Sequence, residues 1–501
     1  MKKLLKYLSV TLVGVTLLTG CEKNFLDINS NPNSPVAATP QLVLSAALNR
    51  TTSNVAVSLN ELGSVWSGYW APPTDYLYYI DEKQYNITSS FRGAVWETTY
   101  DNLTDYQAVE TSATTGALPN YVGIAKIMKA YNFQILVDAY NNVPFSDALK
   151  ATTSIRPKYD SGQSVYEGSL ALIDAGIAAI KSAGATGVKP GSDDIFFAGN
   201  MTLWLKFANT LKLRMLLRQS EIPGRTAYIQ TEIAKIVAEG SGFLGAGESV
   251  LSSPGYVSSS GKLNPFWERY YNDAAGAVTA YYRATRPTVY VINKYQSNND
   301  PRIARMYSPI GGLYKGVELG RNTGDAQATL YKSNVTSPFL PAGGLLKSAT
   351  QKSVIMLSSE SLFLQAEAAQ RGFITGSAET FYNAGISESF VYLGVTNAAT
   401  AAATYAAQPL QNVNFALSTD KIQAIIFQKW LALNSISGWE AWNDFRRTKF
   451  PLDNPLSLAA TGTKQPARLL YPNSELGTNG DEVTKQGTLS AFDSKIFWDK
   501  K

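Results

Sequence analysis

The sequence predicts a mostly α-helical protein, in which stacked helical pairs form a scaffold and a loop-rich insertion interrupts them. Apolar residues recur every three or four positions over long stretches, which is the period of one helix face. Short turns separate these stretches, as is typical of tetratricopeptide-like helical pairs. Between about residues 241 and 352 the pattern gives way to Gly, Pro, Ser and Tyr. The stretch after about residue 450 is rich in Pro, Asn and Gly, and we expect it to form an irregular C-terminal wrap around the helices.

The first 20 residues have the pattern of an export signal. Three lysines precede the apolar run Leu8–Leu18, which is too short to span a hydrocarbon core about 30 Å thick. The single cysteine, Cys21, follows two small residues, and this arrangement resembles a bacterial lipobox, in which the cysteine is lipidated and two or more acyl chains give stable anchoring. We predict a signal peptide at 1–20, a lipidated tether at 21–40 and one domain at 41–501. The alternative is an ordinary secretory signal that ends near a cysteine.

Helices are expected from about residue 40 onward. Residues 121–140 carry an apolar stripe that should form one helix face, and Pro144 should end the segment. Ser164 and Glu167 have the spacing of a capping box. Asn200 is a candidate N-cap for a helix whose apolar stripe includes Trp204.

The second half of the chain carries a similar set of signals. Asp300 before Pro301 predicts an N-cap followed by proline in the first helical turn. Helices are expected to resume at Ser353, with Gly372 as a C-terminal glycine. Two more helices are expected, over residues 377–391 and 419–434.

The composition excludes several classes of function. The chain has no histidine, one cysteine and a formal net charge of +5, which falls to +2 when the three lysines of the signal are removed. Without imidazole, Ser-His-Asp and Cys-His catalysis and most zinc or copper sites are excluded. A nearly neutral chain also gives little electrostatic support to nucleic-acid binding. We predict no cofactor, no metal site and no catalytic residue.

Aromatic residues are plentiful, with 28 Tyr and 9 Trp. Their flat apolar faces and polar edges suit stacking on neutral, hydroxylated ligands. Two aromatic stretches lie among helix-breaking residues, and both are either stacking platforms or hydrophobic loops packed on the helices. The candidate ligand-binding residues are Trp66, Tyr69, Trp70, Tyr76 and Tyr78 in the first stretch, and Trp267, Tyr270, Asn272, Tyr281, Tyr282, Arg283 and Tyr314 in the second.

Other residues are assigned to structure. Four tryptophans within helical patterns should lie in the core, namely Trp96, Trp204, Trp430 and Trp442. Glu360 and Glu367 lie two turns apart on one helix and are considered as paired carboxylates for glycoside hydrolysis. A structural role at a helix surface is favoured for both. Arg446 and Arg447 are expected to pair with nearby acids rather than to bind an anionic ligand.

A series of motifs, taken in order, resembles one family across nearly the whole mature chain. Together with the lipobox they are similar to the SusD/RagB family of nutrient-binding outer-membrane lipoproteins. The motifs are Asp138-Ala-Tyr-Asn-Asn-Val-Pro-Phe, Pro157-Lys-Tyr-Asp, Gly199-Asn-Met-Thr-Leu-Trp, Asn264-Pro, Asp300-Pro-Arg, Gln365-Ala-Glu-Ala-Ala-Gln-Arg-Gly, Gln428-Lys-Trp, Glu440-Ala-Trp-Asn-Asp-Phe-Arg-Arg, Pro466-Ala-Arg-Leu-Leu-Tyr-Pro and Trp498-Asp.

The resemblance implies a tetratricopeptide-like scaffold and a partner, a SusC-like TonB-dependent β-barrel transporter over which the lipoprotein sits as a lid. It implies capture of an oligosaccharide or peptide at the cell surface, with ligand sites in residues 64–80 and 264–316. The sugar-contacting residues of the starch-binding founder do not align with this sequence one by one, so the ligand class stays open. The alternatives are an all-helical surface glycoside hydrolase, which needs only two carboxylates, and a purely structural surface-layer component.

Overall fold

Long helices packed against their neighbours in sequence make up the first half of the protein. The computed structural model describes residues 39–501, and residues 40–501 form one compact unit. A six-residue π-helical stretch, Asn54–Leu59, continues the first helix. The helices of this half are Pro40–Ser53, Asn60–Trp66, Ile80–Gln84, Ala94–Thr115, Pro119–Tyr140, Gly162–Ser182, Met201–Arg218 and Thr226–Glu239.

Two glycines allow the most extensive helix pair to form. Helix Pro119–Tyr140 packs along Gly162–Ser182, and the two backbones meet at Gly123 and Gly176. A Cβ on Gly123 would lie 2.6 Å from the carbonyl oxygen of Gly176, and a Cβ on Gly176 would lie 2.8 Å from that of Gly123. Since real Cβ atoms do not approach backbone so closely, glycine is needed on both helices.

Two N-caps were predicted for the helices of this half, and the structure confirms one of them. Asn200 accepts a hydrogen bond from the amide of Leu203, so the predicted N-cap is confirmed. The predicted capping box at Ser164 is wrong. Helix Gly162–Ser182 begins earlier, and Ser161 is the residue whose hydroxyl accepts from the amide of Ser164.

The insertion contains short elements rather than long helices. Its helices are Pro265–Tyr270, Ala280–Ala284, Val289–Ser297 and Ile303–Met306. Three two-stranded antiparallel sheets occur in the described residues, and two of them tie the insertion to the rest of the chain. The strand pairs are Trp70–Ala71 with Arg286–Pro287, Val143–Pro144 with Tyr159–Asp160, and Val250–Ser252 with Ser353–Met356.

The prediction of an N-cap at Asp300 is confirmed only in part, because Asp300 caps the turn Pro301–Arg302 and the helix begins after that turn. The side chains of Asp300 and Arg302 are fully buried, and the carboxylate pairs with the guanidinium at 2.6 Å. The carboxylate also accepts the amide of Arg302 at 3.0 Å, which is the hydrogen bond of an N-cap, so it serves both the turn and the ion pair. The following helix, Ile303–Met306, has no side-chain cap.

Helical pairs return after the insertion. Ser353 lies in a strand, so the prediction that helices resume there is wrong by a few residues. Gly372 follows the first of these helices with a φ of +72°, a conformation that favours glycine at a helix C-terminus. The helices are Ser358–Gln370, Ala378–Leu393, Ala398–Ala406, Lys421–Leu433, Gly438–Thr448 and Asn473–Thr484.

The core contains both aromatic and charged side chains. The four tryptophans assigned to it, Trp96, Trp204, Trp430 and Trp442, are all buried. Glu360 and Glu367 are buried as well, so their placement at a helix surface is wrong, although their role is structural. Glu360 lies 3.2 Å from Arg214, and Glu367 lies 2.6 Å from Arg447.

The C-terminal region wraps around the helices as expected, although helix Asn473–Thr484 makes it more regular than predicted. Leu469 donates its amide to the carbonyl of Ala139, and the indole of Trp498 donates to the carboxylate of Asp138 at 2.9 Å. Within residues 39–501, no helix is both long and apolar enough to cross a membrane. The predicted signal peptide, Cys21 and all of the predicted tether up to residue 38 lie outside the described residues.

Candidate functional site

Two distant parts of the chain meet at the candidate site. The strand Trp70–Ala71 pairs with Arg286–Pro287, with Trp70 opposite Pro287. This pairing places the loop that follows residue 71 beside the helix Ala280–Ala284 of the insertion. The two aromatic stretches singled out in the sequence are therefore neighbours in space.

The helix Pro265–Tyr270 separates its aromatic residues into two rows. Asn264 caps it by accepting from the amide of Trp267 at 3.0 Å, and Pro265 occupies the first turn. Residues four apart share a helix face. Phe266 and Tyr270 pack together with their ring centroids 4.9 Å apart and are buried, whereas Trp267 and Tyr271 pack at 4.7 Å and are half-buried.

The prediction of an exposed stacking platform is wrong for four residues. Trp66, Tyr69, Trp70 and Tyr270 have exposed fractions of 2%, 0%, 0% and 0%. Their polar atoms all find partners inside the protein, since the two indoles donate to Glu82 and Ser435 and the two phenols to Trp430 and Glu61. A buried ring whose polar edge is already bonded belongs to the core.

The remaining rings form what we call the six-ring arc. Tyr78 packs against Tyr76 and Tyr281, with centroid distances of 6.3 and 5.0 Å. Tyr282, the next residue, packs at 5.3 Å against Tyr271. Each ring is half-buried, so each keeps part of its surface open to solvent. The six-ring arc consists of two groups of rings in contact, joined through the backbone between Tyr281 and Tyr282: the first is Tyr76, Tyr78 and Tyr281, and the second is Tyr282, Tyr271 and Trp267.

An ion pair between a half-exposed arginine and a buried carboxylate supports one ring of the arc. The guanidinium of Arg269 lies 3.6 Å from the ring centroid of Tyr281 and pairs at 2.8 Å with the carboxylate of Glu61. Glu61 also accepts from Arg92 at 2.7 Å and from the hydroxyl of Tyr270 at 2.6 Å. Burial alone would raise the pKa of Glu61, but the two guanidinium groups outweigh burial and lower it.

Hydrogen bonds between loops fix the other edge of the arc. Asp75 accepts from both the amide and the hydroxyl of Ser333, at 2.8 and 2.7 Å. Arg286 is buried and donates to the carbonyls of Tyr282, Thr285 and Ser333. Burial lowers the pKa of Arg286 to about 10. These hydrogen bonds connect the loops that carry the rings, so the arrangement of the rings is preformed in the absence of a ligand.

Three further candidate residues lie in different surroundings. Asn272 begins a tight loop, and its side-chain oxygen is buried without a donor. Arg283 is exposed beside the arc, one residue after Tyr282. Tyr314 is half-buried, and no ring contact joins it to the six-ring arc among the described residues.

One residue of the arc was missed by sequence reasoning. The predicted candidates include Tyr270 but not its neighbour Tyr271, whereas the structure leaves Tyr271 partly open to solvent and buries Tyr270 in the core. The signal that identifies it is the helix start at Asn264, because counting four residues from Trp267 leads to Tyr271.

The arrangement offers a surface that can bind a ligand. Half-buried rings offer apolar faces and phenolic edges, and the carboxylates beside them are engaged, Glu61 by arginines and Asp75 by Ser333. Within residues 39–501, no group of three or more acidic, histidine or cysteine side chains is placed to hold a metal ion.

Comparison with known proteins gives one family match and many structural matches. A model of the SusD-like family, described as starch-binding and associating with the outer membrane, matches residues 32–472. No curated protein sequence matches the chain.

The structural matches extend over almost the whole chain. A SusD homolog from Bacteroides fragilis is 23% identical, with a TM-score of 0.73, and the alignment covers 93% of this chain and 100% of that one. A chitin-binding SusD homolog from Flavobacterium johnsoniae is 24% identical with a TM-score of 0.74, covering 91% and 98%. A further chitin-binding protein is 25% identical with a TM-score of 0.74, covering 92% and 100%. The mostly helical fold is therefore shared with solved SusD homologs.

Proposed function

We propose that the protein binds a nutrient oligosaccharide at the six-ring arc. It then delivers the ligand to a SusC-like TonB-dependent transporter. The premise is the family: this chain belongs to the SusD-like family, which is described as starch-binding and associating with the outer membrane. A nutrient-binding role follows from the family. The place of binding, the ligand and the partner are our proposals.

The six-ring arc is the observation that supports this proposal. Its rings come from two separate stretches of chain, yet within each of its two groups neighbouring centroids lie between 4.7 and 6.3 Å apart. Aromatic faces gain free energy by covering the apolar C–H faces of sugars, while phenolic hydroxyls supply hydrogen bonds at the edges. A site held in place by ion pairs beforehand also loses little conformational entropy on binding.

The charges at the arc favour a neutral saccharide over a charged peptide. Arg269 is paired with Glu61, so its charge is not free for a ligand. Asp75 and Arg283 are exposed charges of opposite sign beside the rings, which leaves the surface without a net charge from this pair. Two of the structural relatives are chitin-binding proteins, which supports a glycan and makes chitin oligosaccharides the first ligands to test. Peptides remain the second class.

The anchor and the transporter partner rest on other observations. The lipobox pattern ending at Cys21 supports a lipid anchor, and the family description supports outer-membrane association. The SusC-like partner rests on the family resemblance of the ordered motifs. Labelled fatty acid on Cys21 and co-purification of a β-barrel from native outer membranes are the expected results, and absence of either would contradict that part of the proposal.

The glycoside hydrolase alternative loses its candidate residues. Glu360 and Glu367 are buried at 0% and 1% exposure and are bonded to Arg214 and Arg447. Neither carboxylate can reach a polysaccharide, so we propose no catalytic activity. Release of sugars from a polysaccharide by the pure protein would overturn this conclusion.

Isothermal titration with chitin oligosaccharides, malto-oligosaccharides and peptides tests the binding site. Tyr281→Ala should weaken the binding of the preferred ligand about 5- to 30-fold, the equivalent of about 1 to 2 kcal/mol for one stacking ring. Tyr228→Ala is a matched control, because that half-buried ring also carries a guanidinium, from Arg225, 3.6 Å from its centroid and lies elsewhere on the protein. Equal loss in both variants, or no binding of any of these ligands, would refute the assignment of the arc.

A further inference from the structure

A cavity of about 540 Å³ lies between the end of helix Gly438–Thr448 and the C-terminal wrap. Its size falls within the range of small-molecule sites. None of the rings of the six-ring arc lines it, so it is a separate site. The lining residues that carry the argument are Phe445, Arg446, Lys449, Lys464, Phe492 and Lys495, with Asp493 and Asp499 as the acids.

Positive charge exceeds negative charge around this cavity. Asp499 is shared between two lysines, Lys449 at 2.9 Å and Lys495 at 3.7 Å. Lys464 pairs with Asp493 at the rim. The lining therefore has three lysines and two carboxylates, and the guanidinium of Arg446 adds a fourth positive charge.

Arg446 is a buried cation without a carboxylate partner among the described residues. It donates to the carbonyls of Ala467 and Asp138, both at 2.7 Å, and to the side-chain oxygen of Asn443. Its Nε atom is buried without an acceptor, as is that of Arg447, and its guanidinium lies 3.6 Å from the ring centroid of Trp442. Burial, which nearby carboxylates only partly offset, lowers the pKa of Arg446 to about 9. The prediction that both arginines of this pair would bond to acids is therefore wrong for Arg446.

Arg447, the next residue of the same helix, is a buried guanidinium whose charge is paired with carboxylates. Arg447 is buried to the same degree, but it pairs with Glu367 at 2.6 Å and with Asp444 at 3.1 Å. Burial by itself would lower the pKa of Arg447, but the two carboxylates outweigh burial and raise it. A buried charge is costly unless it is paired, so an anion in the cavity would be attracted to Arg446 as well as to the three lysines of the lining.

The rest of the lining is apolar or neutral. Phe445 and Phe492 present half-buried rings, and Pro466 adds a further apolar surface. The side-chain oxygen of Asn454 is buried without a donor. We propose that this cavity binds a small organic carboxylate with an apolar body, its charge directed to the Arg446 and lysine side and its body placed against the phenylalanines. The site goes beyond the proposed glycan binding and does not depend on it.

Titration calorimetry of the mature protein with benzoate tests this proposal, with benzamide as the neutral isostere. Benzoate should bind and benzamide should not, and the benzoate affinity should fall as salt is added, because added ions screen the attraction. Absence of benzoate binding, or equal binding of benzamide, would overturn the proposal.

A charge-neutralised variant locates the site. Lys464→Gln combined with Lys495→Gln removes two cations from the lining. The two side chains are 64% and 43% exposed, so the fold should persist. We expect at least about a tenfold loss of benzoate affinity, the equivalent of about 1.4 kcal/mol. The control, Lys189→Gln with Lys262→Gln, removes the same charge from exposed positions outside the cavity and should bind as the wild type does. An equal loss in the control would assign the effect to net charge and overturn the site.

Discussion

Glu61 joins the core to the candidate site, and Glu61→Gln should therefore affect both. The carboxylate is 4% exposed and accepts hydrogen bonds from Arg92, Arg269 and Tyr270 at 2.6 to 2.9 Å. Glutamine keeps the shape of the side chain but removes the charge. Arg269 would lose its ion-pair partner and with it the orientation that places the guanidinium 3.6 Å from the ring centroid of Tyr281.

The expected loss of stability follows from what each partner retains. Breaking a fully buried ion pair costs about 3 to 5 kcal/mol. Arg92 keeps Glu82 as a second partner, and the side chain of Arg269 is 31% exposed, so water can solvate it after the change. The amide oxygen of glutamine also still accepts one hydrogen bond. We therefore expect a loss of about 2 kcal/mol in the free energy of unfolding at neutral pH.

The pH dependence separates an ionic effect from a packing effect. The pKa of Glu61 is lowered from its ordinary value of 4.5 in the folded protein. Its charge therefore stabilises the fold above about pH 4.5, and this stabilisation is lost as the pH falls through the lower, folded pKa. The difference between wild type and Glu61→Gln should shrink in that acidic range.

Urea unfolding followed by tryptophan fluorescence at pH 7 and in steps below pH 4.5 measures this difference. Glu97→Gln serves as the control, because Glu97 is exposed, and it should change the free energy of unfolding by less than about 0.5 kcal/mol. A loss below that size for Glu61→Gln, or a loss independent of pH, would refute the reasoning. Glycan binding of the variant should also weaken, since Tyr281 loses its support.

Two further changes test the packing of the scaffold. Gly63→Ala should lower the free energy of unfolding by about 3 kcal/mol or more, because a Cβ there would lie 2.2 Å from the carbonyl carbon of Gly438. The control, Gly477→Ala, meets nothing within 4 Å and should be neutral or slightly stabilising. Equal unfolding midpoints for the two variants would contradict the close helix contact. Trp498→Phe should cost about 1 to 2 kcal/mol in urea unfolding, because the carboxylate of Asp138 loses the indole donor at 2.9 Å. An unchanged midpoint would show that this bond does not secure the C-terminal wrap.

The two rows of one short helix show how far sequence reasoning reaches. Asn264 and Pro265 mark the start of the helix, and the spacing of four residues groups Trp267 with Tyr271 and Phe266 with Tyr270. The pattern shows that two rows exist. It does not show which row faces the core, because that depends on Glu61, a residue about 200 positions earlier, which accepts the hydroxyl of Tyr270.

The early aromatic stretch shows the same limit. Trp66, Tyr69 and Trp70 have the composition of a binding loop, and their neighbours Pro72 and Pro73 indicate a loop as well. Their burial depends on partners such as Trp430 and Ser435, which lie more than 350 residues away in the chain. An aromatic residue carries the same local signal whether it packs inward or outward.

By itself the sequence determined the helical character of the protein, most of its helices and the absence of imidazole chemistry, because these follow from composition and from patterns within a few turns of chain. Its ordered motifs also identified the family. Only the tertiary structure decided which rings face solvent, which arginine has a carboxylate and where a cavity lies. Those properties depend on contacts between segments far apart in the chain, and burial and charge compensation are set by such contacts.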